Sequence, residues 1–272
     1  MSRSWDNDIN SLPSTLPPAF APSATATDEV SDHIQPIWLV LAGMVTIAAW
    51  QLPFGNYIAY PFTILATWFH EMGHGLMALL MGAQFDRLLI YPDGSGVAYH
   101  TSPAGDFLLG RIKDALVAAA GPMGPPIAGA AFILASRRFK TAHISLLLLG
   151  AAMLLATLIW VRSLFGFISI PLMGLLIMAI GLRAPRWTQE FTIQLLGVQA
   201  CISTFHQLDY LFMSQGIIGG QVMLSDSSQI AQNLLLPYWF WGALMAIGSV
   251  VLLLGSLYLA YRPTRLKAPA SI

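Results

Sequence analysis

The sequence predicts an all-α polytopic membrane protein of about six to seven transmembrane helices, with a small β-hairpin between the second and third spans. Hydrophobic residues make up 56% of the 272 residues, whereas charged residues make up only 10%. Because soluble domains usually carry about 25% charged residues, the lipid bilayer must be the solvent for most of this chain. The formal net charge is +0 and no basic block is present, so nucleic acid is not an expected partner.

Composition divides the chain into three parts. Residues 1–35 are rich in Ser, Thr, Pro and Asp, and this composition predicts a disordered tail. They lack the basic start and the apolar run that are typical of a signal peptide. Residues 36–262 carry the apolar stretches of a transmembrane domain, and residues 263–272 are predicted to form a cytoplasmic tail. The single cysteine, Cys201, excludes disulfides within the chain and cysteine-based zinc sites.

Apolar stretches of membrane-spanning length recur along the transmembrane domain. A span takes about 20 mostly apolar residues. The stretches that reach or approach this length are residues 37–54, 57–81, 115–135, 144–161, 164–182, 191–205 and 236–258. The sixth is short, so a broken or partly re-entrant helix is expected there. Lys and Arg residues follow the third, fifth and seventh stretches, which predicts an external amino terminus and a cytoplasmic carboxyl tail.

The segment between the second and third spans has the pattern of a β-hairpin. Residues 88–91 and 97–101 are short strand-like runs on either side of the turn sequence Pro-Asp-Gly-Ser-Gly. We expect this hairpin to lie at the membrane face.

Three ionisable residues interrupt the second span: His70, Glu71 and His74. A charged side chain at the bilayer midplane costs roughly 2.5–3.5 kcal/mol even on a mild insertion scale, so these residues need a chemical reason. Residues four apart share one helix face, and the two imidazoles can therefore bind one zinc ion. This is the H-E-x-x-H pattern, in which the glutamate is the general base for a zinc-activated water. The alternative interpretation is two packed histidines beside a protonated glutamate.

A catalytic zinc site needs a third protein ligand and one open position. Asp209 is the preferred ligand, because it closes the run QACISTFHQLD at the end of the sixth span. His206 lies three residues earlier and is the rival ligand, or a partner that orients a ligand. Weaker candidates also exist elsewhere in the chain: His100, Asp114 and Asp226. The expected cofactor is one Zn²⁺ per chain.

The third span contains the run AAAGPMGPPIAGAA, whose prolines and glycines are expected to break the helix at residues 121–126. In lipid, irregular backbone persists only against protein or beside a water-filled cavity. Two interpretations follow: a kinked wall of the active site that offers hydrogen-bond donors, or a plain packing kink.

These motifs together resemble the site-2 protease family of intramembrane zinc metalloproteases, and most closely its short bacterial members without a PDZ domain. The resemblance covers about residues 57–209. It implies hydrolysis of peptide bonds in a transmembrane or membrane-anchored protein substrate. It also implies zinc ligation by His70, His74 and Asp209, with Glu71 as the catalytic acid and base.

The resemblance has further implications for the domain, the location and the hairpin. Residues 36–262 would be a metalloprotease-like transmembrane domain, and the protein would be a multi-pass protein of the bacterial inner membrane. The family's hairpin is thought to pair with an unwound substrate as an added strand, a role that here falls to residues 88–91 or 97–100.

The sequence departs from the family pattern at two places. Pro125 stands where the family's Gly-Pro-x-x-Asn motif has Asn, so a substrate-orienting amide is missing. Asp209 is followed by Tyr210 instead of Gly. The alternative function is therefore a catalytically inactive, metal-retaining membrane binding protein of the same fold. A third is a small transporter, since broken helices and midplane charges also mark ion paths, although no internal repeat is detectable.

Overall fold

The computed structural model describes residues 44, 48, 55–101, 107–206 and 208–262. These residues all belong to one compact unit, Leu39–Ile272. The predicted tails at 1–35 and 263–272 lie outside the described residues. Of the predicted span at 37–54, only Met44 and Ala48 are described, and both are helical.

Helices make up most of the described chain, as the composition predicts. The long helices are α1 (Gly55–Leu80), α2 (Phe107–Ala135), α3 (Phe139–Ile159), α4 (Leu164–Arg183), α5 (Arg186–His206) and α8 (Tyr238–Tyr261). Two short helices, α6 (Leu208–Phe212) and α7 (Asp226–Asn233), lie between α5 and α8. The second to seventh apolar stretches of the sequence are therefore each contained largely in a helix.

Four of the described helices are long and apolar enough to cross a membrane, namely α2, α3, α4 and α8. The predicted count of six to seven spans is not confirmed. Helices α1 and α5 have the length, but polar side chains lower their hydropathy. These include His70 and Glu71 in α1 and the buried Gln189, Gln194 and Gln199 in α5. The protein is an integral membrane protein with at least these four apolar helices.

The main apolar core lies between α1, α3, α4 and the strand that follows α1. Its fully buried side chains include Ile64, Leu88, Met153 and Ile170. Burying such a side chain contributes about 1.5–3 kcal/mol. The core therefore ties the hairpin firmly to the middle of α1, where the ionisable residues lie.

The predicted hairpin is present, with β1 (Gln84–Ile90) antiparallel to β2 (Gly96–Thr101). In its turn the Asp93 carboxylate accepts hydrogen bonds from the Ser95 amide (2.9 Å) and hydroxyl (2.7 Å), and Gly94 has a φ of 86°. The Thr67 hydroxyl donates to the Gly94 carbonyl (2.6 Å), and the Tyr60 hydroxyl donates to the Pro92 carbonyl (2.6 Å). Both bonds tie the turn to α1.

The predicted break at residues 121–126 is wrong, because α2 continues through Pro122, Pro125 and Pro126. The glycines of this run instead allow close packing against α1. A Cβ atom on Gly124 would lie 2.5 Å from the Phe69 carbonyl oxygen, and one on Gly121 would overlap the His74 ring. Small residues at a helix contact allow two backbones to approach closely in a membrane. The packing interpretation is therefore supported, and this packing also forms one wall of the site.

A second hairpin was not predicted from the sequence. Strands β3 (Gln215–Ile218) and β4 (Gln221–Leu224) pair antiparallel across Gly219 and Gly220, whose φ angles are 56° and 80°. The Gly-Gly pair between two short apolar runs is the local signal for such a turn. This hairpin and α7 lie between α6 and α8, in a stretch for which the sequence analysis proposed no element.

Candidate metal centre

Three potential metal ligands converge at the middle of α1. His70 and His74 come from α1, and Asp226 is the first residue of α7. The Asp226 carboxylate lies 3.0 Å from the Nε2 atom of His70 and 3.3 Å from that of His74. One ligand atom from each residue lies within 4.8 Å of the other two. The spacing on α1 predicts that the two histidines share one helix face. In the structure, the centroids of the His70 and His74 rings lie 4.9 Å apart.

The ring of His74 is oriented by α2. Its Nδ1 atom lies 2.8 Å from the Val117 carbonyl oxygen, which can only accept a hydrogen bond. Nδ1 therefore carries the proton in the neutral ring, and Nε2 keeps its lone pair for a ligand. A hydrogen bond from the second ring nitrogen to a carbonyl is the usual support of a metal-binding histidine.

Local capping positions the carboxylate of Asp226. The Ser225 side chain caps α7 by accepting from the Ser228 amide (3.3 Å), and its hydroxyl donates to the Met213 carbonyl (2.6 Å). The Ser227 hydroxyl donates to the Leu211 carbonyl (2.7 Å), which ties α7 to α6. Asp226 is thus the first residue of a short helix that is fixed by the Ser225 cap and by the Ser227 hydrogen bond to α6.

Electrostatics favour an ionised Asp226. Burial alone would raise the pKa of this carboxyl group, which is only 2% exposed. When the His74 ring is protonated, its charge and the hydrogen bonds from His74 and His70 outweigh burial and hold the pKa of Asp226 below its usual range. A cation bound in place of that proton would favour the ionised carboxylate in the same way. The donor set is therefore two imidazole nitrogens and one carboxylate.

The structure does not bring Asp209 to this group. Its side chain is exposed on α6, and among the described residues the group is completed by Asp226 instead. His206 ends α5, and its side chain lies outside the described part of the chain. Asp226 had been a weaker candidate of the sequence analysis. The local signal that favours it is Ser225, a helix N-cap directly before an acidic first turn.

Glu71 lies beside the histidines with its carboxylate buried, at 6% residue exposure. The Ala98 amide of β2 lies beside this carboxylate. Close approach of the two elements depends on Gly96, because a Cβ atom there would lie 2.8 Å from Cγ of Glu71 and 2.7 Å from the Thr67 methyl group. The hairpin therefore packs directly against the glutamate.

Three cavities that share lining residues lie beside the group. One of about 260 Å³ is lined by Thr67, His70 and Glu71, and one of about 210 Å³ is lined by both histidines and Asp226. A third of about 620 Å³ extends from His74 to polar side chains: His100, Asp114, Gln229, Gln232 and Asn233. Burial, followed by the adjacent His74, lowers the pKa of His100, so this ring is neutral at pH 7. A buried glutamate, a metal-type donor set and water-accessible space therefore meet at one place.

The sequence profile of the family described as Peptidase M50B-like matches residues 40–256, which is most of the chain. The chain belongs to this family. It is the site-2 protease family, so the predicted resemblance is confirmed. Neither the curated proteins nor the solved structures contain a significant match to the chain.

Membership of the Peptidase M50B-like family points to a membrane metallopeptidase with membrane-anchored substrates. The family is in general zinc-dependent. The residues of this chain fit such an ion, because two imidazoles and an ionised carboxylate converge within 4.8 Å and the His74 ring is presented through Nε2.

The contact between Gly121 and the His74 ring gives a direct test of the site's packing. We expect Gly121→Ala to weaken zinc binding at least 10-fold, because the new methyl group must displace the ring that presents Nε2. Gly110→Ala is the matched control on the same helix, since a Cβ atom there meets no atom within 4 Å. Zinc affinity measured by competition with a chelator decides the result, and equal affinities for both variants would contradict it.

Proposed function

We propose that this protein is an intramembrane zinc metalloprotease that hydrolyses peptide bonds of membrane-anchored protein substrates. The observation that carries the proposal is the convergence of His70, His74 and Asp226 beside the buried Glu71. Membership of the Peptidase M50B-like family supports the same reaction class. The metal ligands in this proposal are His70, His74 and Asp226, which replaces the earlier candidate Asp209.

Each residue of the group has a chemical role in this proposal. Zinc held by the three ligands would supply a Lewis acid and a nucleophilic water near neutral pH. Glu71 takes one proton from the attacking water as the water oxygen bonds to the carbonyl carbon of the substrate. The same carboxyl group then gives that proton to the leaving amine as the carbon–nitrogen bond breaks. The close packing of Gly96 of β2 against Glu71 keeps the glutamate oriented during both transfers.

The substrate is proposed to add as a strand to β2. The outer edge of β1 is already occupied, since the Leu88 amide donates to the Trp160 carbonyl (2.8 Å) and its carbonyl accepts from the Arg162 amide (2.9 Å). The edge of β2 instead faces Glu71 and lines the cavities. Of the two strands considered from the sequence, residues 97–100 therefore suit the role.

The second hairpin supplies the opposite side of the same cleft. Ile218 and Met223 line the cavity that also contains residues 96–100 of β2. Gly219 at the tip of the hairpin packs against the Tyr91 ring, where a Cβ atom would lie 2.5 Å from Cζ. A substrate strand between the two hairpins would expose its backbone to β2 and its side chains to apolar residues. Water would enter through the larger polar cavity beside His100.

The membrane topology and location complete the proposal. Helices α1 and α5 are proposed to cross the bilayer as well, which gives six spans with the four apolar helices. The stretch at 37–54 is proposed as a seventh. Polar residues on these helices would face the site and the bundle interior instead of lipid. The domain is proposed to occupy residues 36–262, in a bacterial inner membrane.

Zinc removal and return test the proposed reaction. Purified protein in vesicles is mixed with a panel of single-span membrane peptides, and fragments are identified by mass spectrometry. We expect cleavage that is lost when a chelator removes the zinc and restored by Zn²⁺ but not by Mg²⁺, because imidazole ligands suit zinc. A substrate methylated on alternate amide nitrogens near the cleaved bond should be cut more slowly, since it cannot pair fully with β2.

The outcome also separates the proposal from its alternative. Cleavage that persists when no zinc remains bound would contradict a zinc protease. Retained zinc with no cleavage of any peptide in the panel would identify the metal-retaining binding protein instead.

A further inference from the structure

Tyr210 occupies a position at the site that no step above uses. It lies on α6, directly after the exposed Asp209, and its side chain is half-buried. Its side chain lines the cavity that contains Thr67 and also the cavity that contains Asp226. It therefore reaches the space that a substrate carbonyl must enter.

Few described residues line both of these cavities. Those that line both cavities are His70, Glu71, Gly96, Tyr210 and Ile218. His70 and Glu71 already have roles, and Gly96 and Ile218 have no polar side-chain atom. Tyr210 is thus the remaining side chain of this set that can donate a hydrogen bond. On the α2 side, the run at residues 121–126 contains only Gly, Pro and Met, which offer no side-chain donor.

The phenol is oriented so that its proton remains available. The phenolic oxygen faces the backbone amide of Asp226, and an amide N–H can only donate. The O–H group itself is left to donate to another atom. A tyrosine phenol ordinarily keeps its proton at neutral pH.

Packing fixes the ring. A Cβ atom on Gly216 of β3 would lie 3.1 Å from Cε2 and 3.2 Å from Cδ2 of Tyr210, so this strand rests directly on the ring. The ring is therefore held along one edge by this strand, and its hydroxyl lies beside the Asp226 amide. A donor fixed before the substrate arrives loses little free energy through reorganisation during the reaction.

We propose that Tyr210 is a catalytic residue that donates a hydrogen bond to the carbonyl oxygen of the substrate as negative charge develops on it. The proposal rests on the proposed function. No proton leaves the phenol in this step. Water adds to the carbonyl carbon, Glu71 takes the water's proton, and the strengthened O–H···O hydrogen bond stabilises the negative oxygen until the amine departs and the carbonyl re-forms.

The main test replaces the hydroxyl and keeps the ring. We expect Tyr210→Phe to lower kcat by about 10²–10³-fold, the usual effect of removing one such donor. KM should change little, because the hydrogen bond is strongest in the transition state. The zinc content of the variant should equal that of the wild type. Tyr258→Phe is the control, because it removes a hydroxyl from an exposed tyrosine of α8 outside the cavities.

Two further experiments test the role of the Tyr210 hydroxyl: one restores a hydrogen-bond donor at position 210, and the other measures inhibitor binding without catalysis. 4-Aminophenylalanine in place of Tyr210 carries an N–H donor and should regain a large part of the lost kcat. A zinc-loaded Tyr210→Phe protein should bind a peptide phosphinate, which mimics the negatively charged tetrahedral state, about 10²-fold more weakly than the wild type. Binding of the uncleaved substrate to Glu71→Gln protein should be the same with Tyr or Phe at position 210.

The outcomes separate this inference from the proposed function. Wild-type cleavage with Tyr210→Phe retaining kcat within about 3-fold would overturn the inference and leave the protease intact. A 4-aminophenylalanine variant no better than Phe, or a loss of zinc in Tyr210→Phe, would also overturn it, because the residue would then only position Asp226. Wild-type protein that cleaves nothing would remove the proposed function itself, and this inference with it.

Discussion

Glu71→Gln is expected to abolish cleavage of membrane-anchored substrates, with kcat lowered by about 10²–10⁴-fold, while the protein keeps its zinc. The amide has nearly the same size as the carboxylate and fits the same space beside Gly96 and the Ala98 amide. It cannot take a proton from water, so the attacking hydroxide is not formed. The measurement is single-turnover cleavage in vesicles together with metal analysis of the same sample.

The chain provides a matched control for this substitution. Glu190→Gln makes the same chemical change on α5, at a residue that lines none of the cavities described around the site. We expect it to leave kcat within about 2-fold of the wild-type value, in the range of substitutions outside a reacting centre. A Glu71→Gln protein as active as Glu190→Gln would remove the glutamate from the mechanism and with it the H-E-x-x-H interpretation.

Asp226→Ala is expected to remove zinc from the purified protein and therefore all cleavage. The substitution leaves only His70 and His74 as protein ligands, whereas zinc sites in proteins are held by at least three. The loss of affinity should exceed the 10–100-fold that follows removal of a residue that only orients a ligand. Zinc per chain, measured by elemental analysis after dialysis, reports the result.

Asp209→Ala is the decisive comparison, because it removes the carboxylate that the sequence analysis preferred. Asp209 is exposed on α6, so this variant should keep both its zinc and its activity. The opposite pattern, zinc lost with Asp209→Ala and kept with Asp226→Ala, would return the third ligand to Asp209. Loss of zinc in both variants would be inconsistent with the contacts described at the centre.

Local features of the fold were predictable because their causes are local. The H-E-x-x-H spacing places His70 and His74 on one face of any α-helix, and the structure has them there with Glu71 beside them. The first hairpin was predictable for the same reason, since a Pro-Asp-Gly-Ser-Gly turn is specified by its own five residues. The family assignment, which rests on such motifs, was also confirmed.

The third member of the metal group was not predictable with the same certainty. Asp209 and Asp226 are both acidic residues that follow the sixth apolar stretch. The local sequence around each of them does not indicate how close its carboxylate lies to His70. Asp226 reaches the histidines because Ser225 caps α7 and Ser227 bonds to the Leu211 carbonyl. Those contacts join residues that are far from α1 in sequence, so only the folded chain reveals them.

The glycine-proline run of α2 shows the same limit. From the sequence, its prolines predicted a broken helix, whereas the structure keeps the helix and uses Gly121 and Gly124 for contact with α1. Helix propensity describes the free-energy cost of proline in an isolated helix. It contains no information about a second helix, which small residues such as glycine allow to pack closely. Tertiary packing outweighed the local preference here.

By itself, the sequence determined that this chain needs a bilayer, that two histidines and a glutamate share one helical turn, and that a hairpin follows them. These properties depend on composition and on spacings of a few residues, which the backbone geometry converts directly into structure. The tertiary structure alone decided that Asp226 joins the two histidines, that β2 lies against Glu71, and that Tyr210 lines the same cavities as Glu71. Such contacts arise only when distant segments pack together, because their distances are set by the whole fold.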